Sequence, residues 1–364
     1  MVKTNANNWT CGAIDHGVTF YQNGTITPCC FIDWSYKKDI KDIGNDPFAD
    51  LRTDSAPSVC NKCIDAEARG AISYRQNFNS KKTSAPGYQF IDIRNSNLCN
   101  IKCRTCCPEN SSQWALELGH TIPIKQQDIL SYKDYILTPT VHSIYYTGGE
   151  PFINVEHWEI LEKLISLGYS KNIELQYNSN LTTLKFKDKN ILELWKNFKQ
   201  VTVMVSIDAV GEKFNLIRSG ADWQDVIDNL LKLKTYQQST NNLSLTIATT
   251  VSILNIWFID ELLEYFKDFK VNLTDLYFPD YLSLSAIPDS LKDQALACVD
   301  QIEKLYLDKN KIKFMRSQIN NNVNKQLFKD TISHTLLLDN IRNEALFDLL
   351  PFKKEAIAQV FKNL

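Results

Sequence analysis

Six short runs rich in Val, Ile and Tyr recur between residues 88 and 284: "YQFIDIR", "VHSIYYT", "NIELQYN", "VTVMVSID", "LSLTIATTV" and "LTDLYFPDY". Stretches of helical periodicity separate them, and this alternation constrains the fold more than any bulk property. Between the second and third runs, Val155, Trp158, Leu161, Leu164 and Ile165 repeat every three or four residues, and Gly168 is placed to stop the helix. From the second run onward the strands begin about 30 residues apart, the length of a βαβ unit, which predicts a parallel sheet. Six units are fewer than a closed barrel needs, so the expected α/β fold is a partial (β/α)6 TIM-like barrel, with an open doubly wound sheet as the alternative. In either fold, functional groups belong at the C-terminal ends of the strands.

The regions flanking this core differ in composition. Residues 1–76 carry Cys11, Cys29, Cys30, Cys60 and Cys63 and form a small cysteine-bearing module; the polar stretch "NFNSKKTSAPG", residues 77–87, reads as a linker to the barrel at 88–284. Residues 285–364 show no strand pattern, and "LKDQALACVDQIEKLYL" and "HTLLLDNIRNEALFDLLPF" predict amphipathic helices that cover a barrel end or bind a partner.

A net charge of -2 over 364 residues argues against bulk nucleic-acid binding. The start "MVKTNANNWT" has no apolar h-region and no later run could cross a bilayer, so a cytoplasmic chain without a membrane partner is expected. Ten cysteines in a reducing compartment are read as metal ligands or reactive thiols rather than as a disulfide framework.

Four of the ten lie in "NLCNIKCRTCCP", just after the first predicted strand. Cys99, Cys103 and Cys106 have the spacing C-x3-C-x2-C. A structural zinc site asks for four ligands, and Cys107, adjacent to Cys106, is poorly placed to be the fourth. Three thiolates suit a [4Fe-4S] cluster with one iron left open to a substrate or cofactor, and zinc remains the alternative.

This motif, "YYTGGEPF" at the end of the second strand and "VSIDA" at the end of the fourth resemble, in that order, the radical SAM superfamily over residues 88 to 284. The resemblance implies that Cys99, Cys103 and Cys106 hold a [4Fe-4S] cluster whose open iron chelates S-adenosylmethionine. Gly148, Gly149 and Glu150 match the GGE motif, the glycines admitting close backbone approach and the carboxylate accepting from the methionine amino group; a plain turn is the alternative. Asn180 and Ser206 are implied contacts to the ribose or methionine moiety, and Arg218 resembles the arginine that pairs with the methionine carboxylate, unless it is a solvated surface arginine. Val251 and Asn255 are adenine-side candidates. Thr105 stands where the superfamily usually has an apolar or aromatic residue.

Asn23-Gly24 between alternating runs predicts a hairpin that returns Cys29 toward Cys11. With "CNKC", the four thiols Cys11, Cys29, Cys60 and Cys63 can share one site, resembling the auxiliary-cluster modules called SPASM and twitch, although here the module precedes the barrel. Cys30 is then spare or replaces Cys29. One auxiliary [4Fe-4S] cluster is expected, with structural zinc as the alternative.

The implied activity is reductive cleavage of S-adenosylmethionine to a 5'-deoxyadenosyl radical, fed by an external one-electron donor such as flavodoxin or ferredoxin, and hydrogen abstraction from a peptide or protein substrate. The same chemistry on a small molecule (an amino sugar, nucleoside or other metabolite) is the second reading. A non-catalytic, zinc-stabilised binding protein is a third. Cys107 and Cys298 are the unassigned thiols, either hydrogen donors or buried structural cysteines.

Overall fold

The computed structural model describes residues 9–68, 70, 72–119, 130–321 and 325–351. Strands are numbered in chain order: β1 Gly17–Tyr21, β2 Thr25–Thr27, β3 Lys38–Asp39, β4 Phe90–Arg94, β5 Ser143–Tyr146, β6 Glu174–Ser179, β7 Lys185–Phe186, β8 Lys189–Asn190, β9 Gln200–Ser206, β10 Leu243–Val251 and β11 Val271–Asp275. Six of them, in the spatial order β4-β5-β6-β9-β10-β11, pair in parallel and correspond to the six apolar runs. The partial barrel predicted from the spacing is therefore the fold observed. β7 and β8 form a separate small hairpin.

Alternation along these strands separates two faces. Leu175, Tyr177, Val201, Val203 and Val205 are buried in one apolar cluster with Trp158, Leu161 and Leu164 of the Val155–Ser166 helix and with Leu230 and Leu233 of the Trp223–Ser239 helix. The opposite, inner face is polar and half-buried. Register places Asp92 beside Tyr145, Tyr145 beside Gln176, Gln176 beside Thr202, and Asn178 beside Met204. A core strand of a filled barrel would carry aliphatic residues there. Here the chamber wall is mostly hydroxyl and amide, with the Asp92 carboxylate and the Met204 thioether among them.

The last apolar run is only partly a strand. β11 ends at Asp275, and "LYFPDY" continues as a loop through a cis Phe278–Pro279 bond into a short turn at Asp280–Leu282. Pro279 has no N–H to donate to a ladder.

The N-terminal segment joins the same sheet. β1 and β2 form an antiparallel hairpin about Asn23-Gly24, with Gly24 at φ +77°, and β1 pairs in parallel with β4, placing Thr19 beside Asp92 and Tyr21 beside Arg94. The predicted linker begins inside a helix. Ser73 and Gln76 form a capping box that starts Tyr74–Lys81, and Phe78 of that helix meets Phe90 of β4 at 5.1 Å between ring centroids. Asn77 and Ser80, which suggested a turn, lie on its exposed side, whereas Asn79 faces the chain start, accepting from Gly12 N at 2.6 Å and donating to Thr10 O at 3.0 Å, so only residues 82–87 connect.

The C-terminal region is helical, over Lys292–Leu305, Lys309–Asn320, Lys325–Arg342 and Leu346–Leu349. The run "HTLLLDNIRNEALFDLLPF" is broken near Asn343, which has φ +51°; its final Phe352 lies outside the described residues. Among the described residues no helix is long and apolar enough to cross a membrane.

Candidate active site

The loop after β4 is held open by its neighbours. Ser111 caps the Ser112–Glu117 helix, and its hydroxyl donates to Ile101 O at 2.8 Å. Cys99 N donates to Ser112 Oγ at 3.1 Å, and Trp114 Nε1 donates to Cys103 O at 2.6 Å. From the other side, Lys102 N and Arg104 N donate to Ser219 O and Ile217 O, each at 2.8 Å. Between these anchors the chain makes a tight turn, with Cys106 N on Cys103 O at 3.0 Å. Three thiols are thereby fixed around one space.

That space is a cavity of about 260 Å³ at the C-terminal ends of the strands, lined by Cys99, Cys103 and Cys106 together with Gly149, Asn180, Ser206 and Arg218. Thr105 and Cys107 also line it. The wall opposite the thiols comes from the ends of successive strands: Thr147, Asn178, Ser206 and Thr250. Leu276, Phe278 and Pro279 close the far side.

Burial pushes the Cys99 thiol up to about 11, helped by the neighbouring Cys103 thiol, and burial likewise raises Cys103. Cys106 is raised by its hydrogen bond with Cys107, which is lowered by that same bond. Binding of a metal group must therefore displace protons from this trio.

The "TGGE" segment packs beneath the thiol loop. Glu150 N donates to Leu98 O at 2.7 Å, and a Cβ on Gly149, whose φ is +59°, would lie 2.2 Å from that same oxygen. The glycine admits backbone, as the motif suggested, but the backbone it admits is the chain's own. Glu150 is 2% exposed and does not line the cavity. Its carboxylate accepts from Phe152 N at 3.1 Å, Ser179 Oγ at 2.9 Å and Asn180 N at 2.6 Å. Burial raises its pKa to about 7 against these three hydrogen bonds and the Arg218 charge. In this geometry Glu150 holds the end of β6 rather than presenting an oxygen to a ligand.

Asn180 lines the cavity with its amide turned to the thiol loop: Nδ2 donates to Asn100 Oδ1 at 2.9 Å and lies 4.0 Å from Cys99 Sγ. Arg218 is buried, not solvated. Its Nη1 donates to Asp208 Oδ2 at 2.7 Å, and Asp208 also accepts from Thr250 N at 2.8 Å. The Arg218 charge lowers the pKa of both Cys99 and Cys103, against burial.

Val251 and Asn255 do not reach the cavity. Val251 is part of the apolar core, and Asn255 uses its amide on the backbone, donating to Asp208 O and Thr250 O, each at 2.9 Å, and accepting from Ser252 N at 2.8 Å. Cys298 sits on the Lys292–Leu305 helix near Asp260, away from the cavity. Cys107 lines the cavity, with Asn110 Nδ2 on its sulfur at 3.3 Å.

Asn178, Thr147, Thr250 and Asp208 were not singled out from the sequence. The signal is positional: Asn178 and Thr250 are the last inward-facing residues of β6 and β10, and Thr147 directly follows β5; Asp208 lies in "VSIDA" and fixes Arg218.

A second space, of about 20 Å³, is lined by Cys11, Cys29, Cys60 and Cys63 within an apolar shell that includes Trp9, Ile14 and Phe78. Burial raises the Cys11 and Cys29 thiols and pushes Cys60 up to about 12. Cys30 turns the other way, onto the Asp92 carboxylate of β4. Among the described residues, no three Cys, His, Asp or Glu side chains converge closely enough to hold a single metal ion.

Fold and site together define a partial-barrel protein whose chemistry sits on a thiol-rich loop at the strand ends. Residues 95–272 match the family profile of the Radical SAM superfamily, and the chain carries a domain of that superfamily. The superfamily uses S-adenosylmethionine and a [4Fe-4S] cluster. The chain is 22% identical over 210 residues to GTP 3',8-cyclase of Listeria monocytogenes serotype 4b, covering 57% of this chain and 59% of that protein. It is 26% identical over 219 residues to GTP 3',8-cyclase of Helicobacter pylori, covering 60% of this chain and 63% of the relative. The chain thus spans about three fifths of the length of these relatives. Among solved structures, anSMEcpe with bound AdoMet is similar at a TM-score of 0.44 and 20% identity, covering 62% of this chain and 60% of that one. Streptococcus suis SuiB bound to precursor peptide SuiA is similar at 0.38 and 17%, covering 66% and 50%.

The cavity suits that cofactor pair on its own chemistry. It has three thiols on one side, and two polar atoms from its lining, Arg218 Nε and Asn178 Oδ1, are buried without a hydrogen-bond partner. Buried polar atoms of that kind ask for a ligand.

Proposed function

We propose that the chain is a radical SAM enzyme in which Cys99, Cys103 and Cys106 hold a [4Fe-4S] cluster and the adjoining cavity holds S-adenosylmethionine. The observation that carries this reading is the convergence of the three thiols with Asn180, Ser206 and Arg218 on one cavity at the strand ends. When bound, cluster and cofactor would supply one-electron cleavage of S-adenosylmethionine to a carbon radical that takes hydrogen from a substrate.

The chain's own residues do the positioning. Arg218, braced by Asp208, brings positive charge to the thiol side and leaves Nε for the methionine carboxylate. Glu150 fixes the Ser179 hydroxyl and the Asn180 backbone N–H, so the end of β6 stays at its place in the wall. Ser206, Asn178 and Thr250 offer hydroxyl and amide groups to the ribose side. Leu276, Phe278 and Pro279 give the cavity an apolar rim, on which Phe278 is largely exposed.

Cys11, Cys29, Cys60 and Cys63 are read as the ligands of one auxiliary [4Fe-4S] cluster in a twitch-like module, with Cys29 favoured over Cys30 because Cys30 faces Asp92. Structural zinc is the outcome that would replace it. The substrate is read as a peptide or protein, on the resemblance of the module to those of peptide-modifying enzymes. A small molecule is the second reading, favoured by the GTP 3',8-cyclases among the relatives. An external one-electron donor of the flavodoxin or ferredoxin type completes the scheme.

The test is anaerobic purification with iron, sulfide and zinc measured together, followed by the assay of 5'-deoxyadenosine under strong reductant. Two clusters and reductant-dependent cleavage are expected. Stoichiometric zinc with negligible iron would overturn the reading.

A further inference from the structure

The inner face of the sheet carries Glu174 of β6, paired with Lys81 and Lys199, and, near its N-terminal-module edge, a second charged group, the pair Asp92 and Arg94. Asp92 and Arg94, two residues apart on β4, point into the same chamber as Tyr145 and Tyr21, their cross-strand partners on β5 and β1. Arg94 Nε donates to Asp92 Oδ1 at 3.0 Å and Oδ2 at 3.2 Å. The Cys30 thiol stands near the same carboxylate, which raises its pKa. Both carboxylate oxygens are thus occupied by Nε, and the guanidinium is held by one edge.

The other edge is free. Among the described residues neither terminal nitrogen of Arg94 has a hydrogen-bond partner, and its side chain keeps 30% of its surface exposed. Its guanidinium carbon lies 5.8 Å from the centre of the Tyr145 ring. The Tyr145 hydroxyl likewise has no partner among the described residues, and the Tyr21 hydroxyl has only a long contact, 3.4 Å to Thr27 Oγ1. The result is a nest of donors, two guanidinium nitrogens and two phenols, whose one acceptor is already spent.

Its position is informative. A Cβ on Gly148 would lie 3.3 Å from Arg94 Cα, and the next residue, Gly149, lines the cofactor cavity. On the other side Cys30 follows Cys29, which lines the four-thiol pocket. Arg94 therefore stands between the residues that lead to the two cysteine sites.

We propose that Arg94, with the hydroxyls of Tyr145 and Tyr21, anchors an oxyanion carried by the substrate, a carboxylate or a phosphate. The proposal rests on reading the inner face as the substrate chamber of a radical SAM enzyme. Asp92 neutralises much of the charge, so recognition works through the planar donor fork more than through bulk attraction. Asp92 holds Arg94 through Nε and is a positioning residue.

The test is protection of Arg94 from phenylglyoxal in the full chain carrying its metal centres, read by mass spectrometry of the Arg94 peptide, with Arg316, whose side chain is 32% exposed against 30% for Arg94, as the ionic-strength control. Inorganic pyrophosphate and succinate are the probes. Selective protection by pyrophosphate supports a phosphate-bearing substrate, and selective protection by succinate a carboxylate. In Tyr145→Phe the protecting concentration should rise roughly tenfold, the loss of one charge-assisted hydrogen bond. Protection of Arg94 and Arg316 alike, protection by neither probe, an unchanged midpoint in Tyr145→Phe, or protection by S-adenosylmethionine alone would each overturn the anchor. The footprint needs no turnover. Failure of the wild-type chain to form 5'-deoxyadenosine would sink the enzymatic reading and leave the footprint to be judged by itself.

Discussion

Arg104 and Asp339, 235 residues apart in sequence, meet at 2.5 Å, and the arginine side chain has no exposed surface. Glu344 adds a second carboxylate at 2.6 Å, and the carbonyls of Leu216 and Thr335 accept at 2.8 and 3.3 Å. Arg104 sits between Cys103 and Thr105, so the thiol loop is tied directly to the C-terminal helices. His334 Nε2 reaches Arg104 O at 3.2 Å and its ring stacks on Trp114, while Arg342 pairs with Glu117 at 2.7 Å. The region whose role the sequence left open braces the site.

Breaking this buried pair should be costly. Asp339→Ala leaves Glu344 in place, so the loss belongs at the low end for a broken buried ion pair, about 3 kcal/mol. Urea unfolding of the metal-free chain measures it, and iron retained after gel filtration should fall in parallel. Unchanged stability and full iron retention would mean the brace is idle.

Replacing Cys99, Cys103 and Cys106 together with Ala should reduce the metal content from about two clusters to about one and abolish 5'-deoxyadenosine formation. The converse variant, Cys11, Cys29, Cys60 and Cys63 to Ala, should keep the first cluster. Loss of all iron in the triple variant would show that the two thiol sets do not bind independently.

Gly149→Ala should be far worse than Gly148→Ala. At residue 149 the new carbon would meet Leu98 O at 2.2 Å, whereas at 148 its nearest neighbour, Ser96 O, is 3.1 Å away, although both residues have positive φ. The conformational cost alone is roughly 1–2 kcal/mol at each site, and the clash adds to it at 149. Affinity for S-adenosylmethionine, titrated on the oxidised protein, is the readout. Equal losses in the two variants would sink the packing argument.

All six barrel strands were legible because each is an apolar run bounded by helical periodicity, and Asn23-Gly24 announced its hairpin. The C-x3-C-x2-C spacing located the thiol loop because ligands supplied by one loop leave a local signature. What stayed hidden is what depends on distant pairing. Nothing local to "NLCNIKCRTCCP" says that Arg104 is matched by Asp339, and nothing in "TGGEPF" says that Glu150 turns inward to Asn180. Val251 and Asn255 lie off the cavity for a reason of the same kind: strand-end position alone does not tell a wall residue from one spent on the core or the backbone. Arg94 was overlooked because its meaning comes from the parity it shares with Tyr145 and Tyr21 across two strand pairings.

Glu150 gives the metal-free chain a specific pH dependence. Its folded-state pKa of about 7 lies above the ordinary value of 4.5, so between these values the folded chain keeps a proton that the unfolded chain releases. Its contribution is therefore fully present below pH 4.5 and is lost as pH rises to 7, a fall on the order of 3 kcal/mol. Glu150→Gln should remove that slope while lowering stability overall, because its amide would set a donor against Asn180 N. Urea unfolding at several pH values compares the two; identical slopes would exclude Glu150 as the titrating group.

The tie between Arg104 and its two carboxylates also orders events during synthesis. A ribosome adding about 5–20 residues each second needs some tens of seconds to travel from Arg104 to Asp339, and throughout that interval the guanidinium has neither carboxylate. The thiol loop is therefore made early and locked late. Machinery that delivers iron and sulfide has a window in which the loop is already out of the exit tunnel and its clamp has not yet been translated.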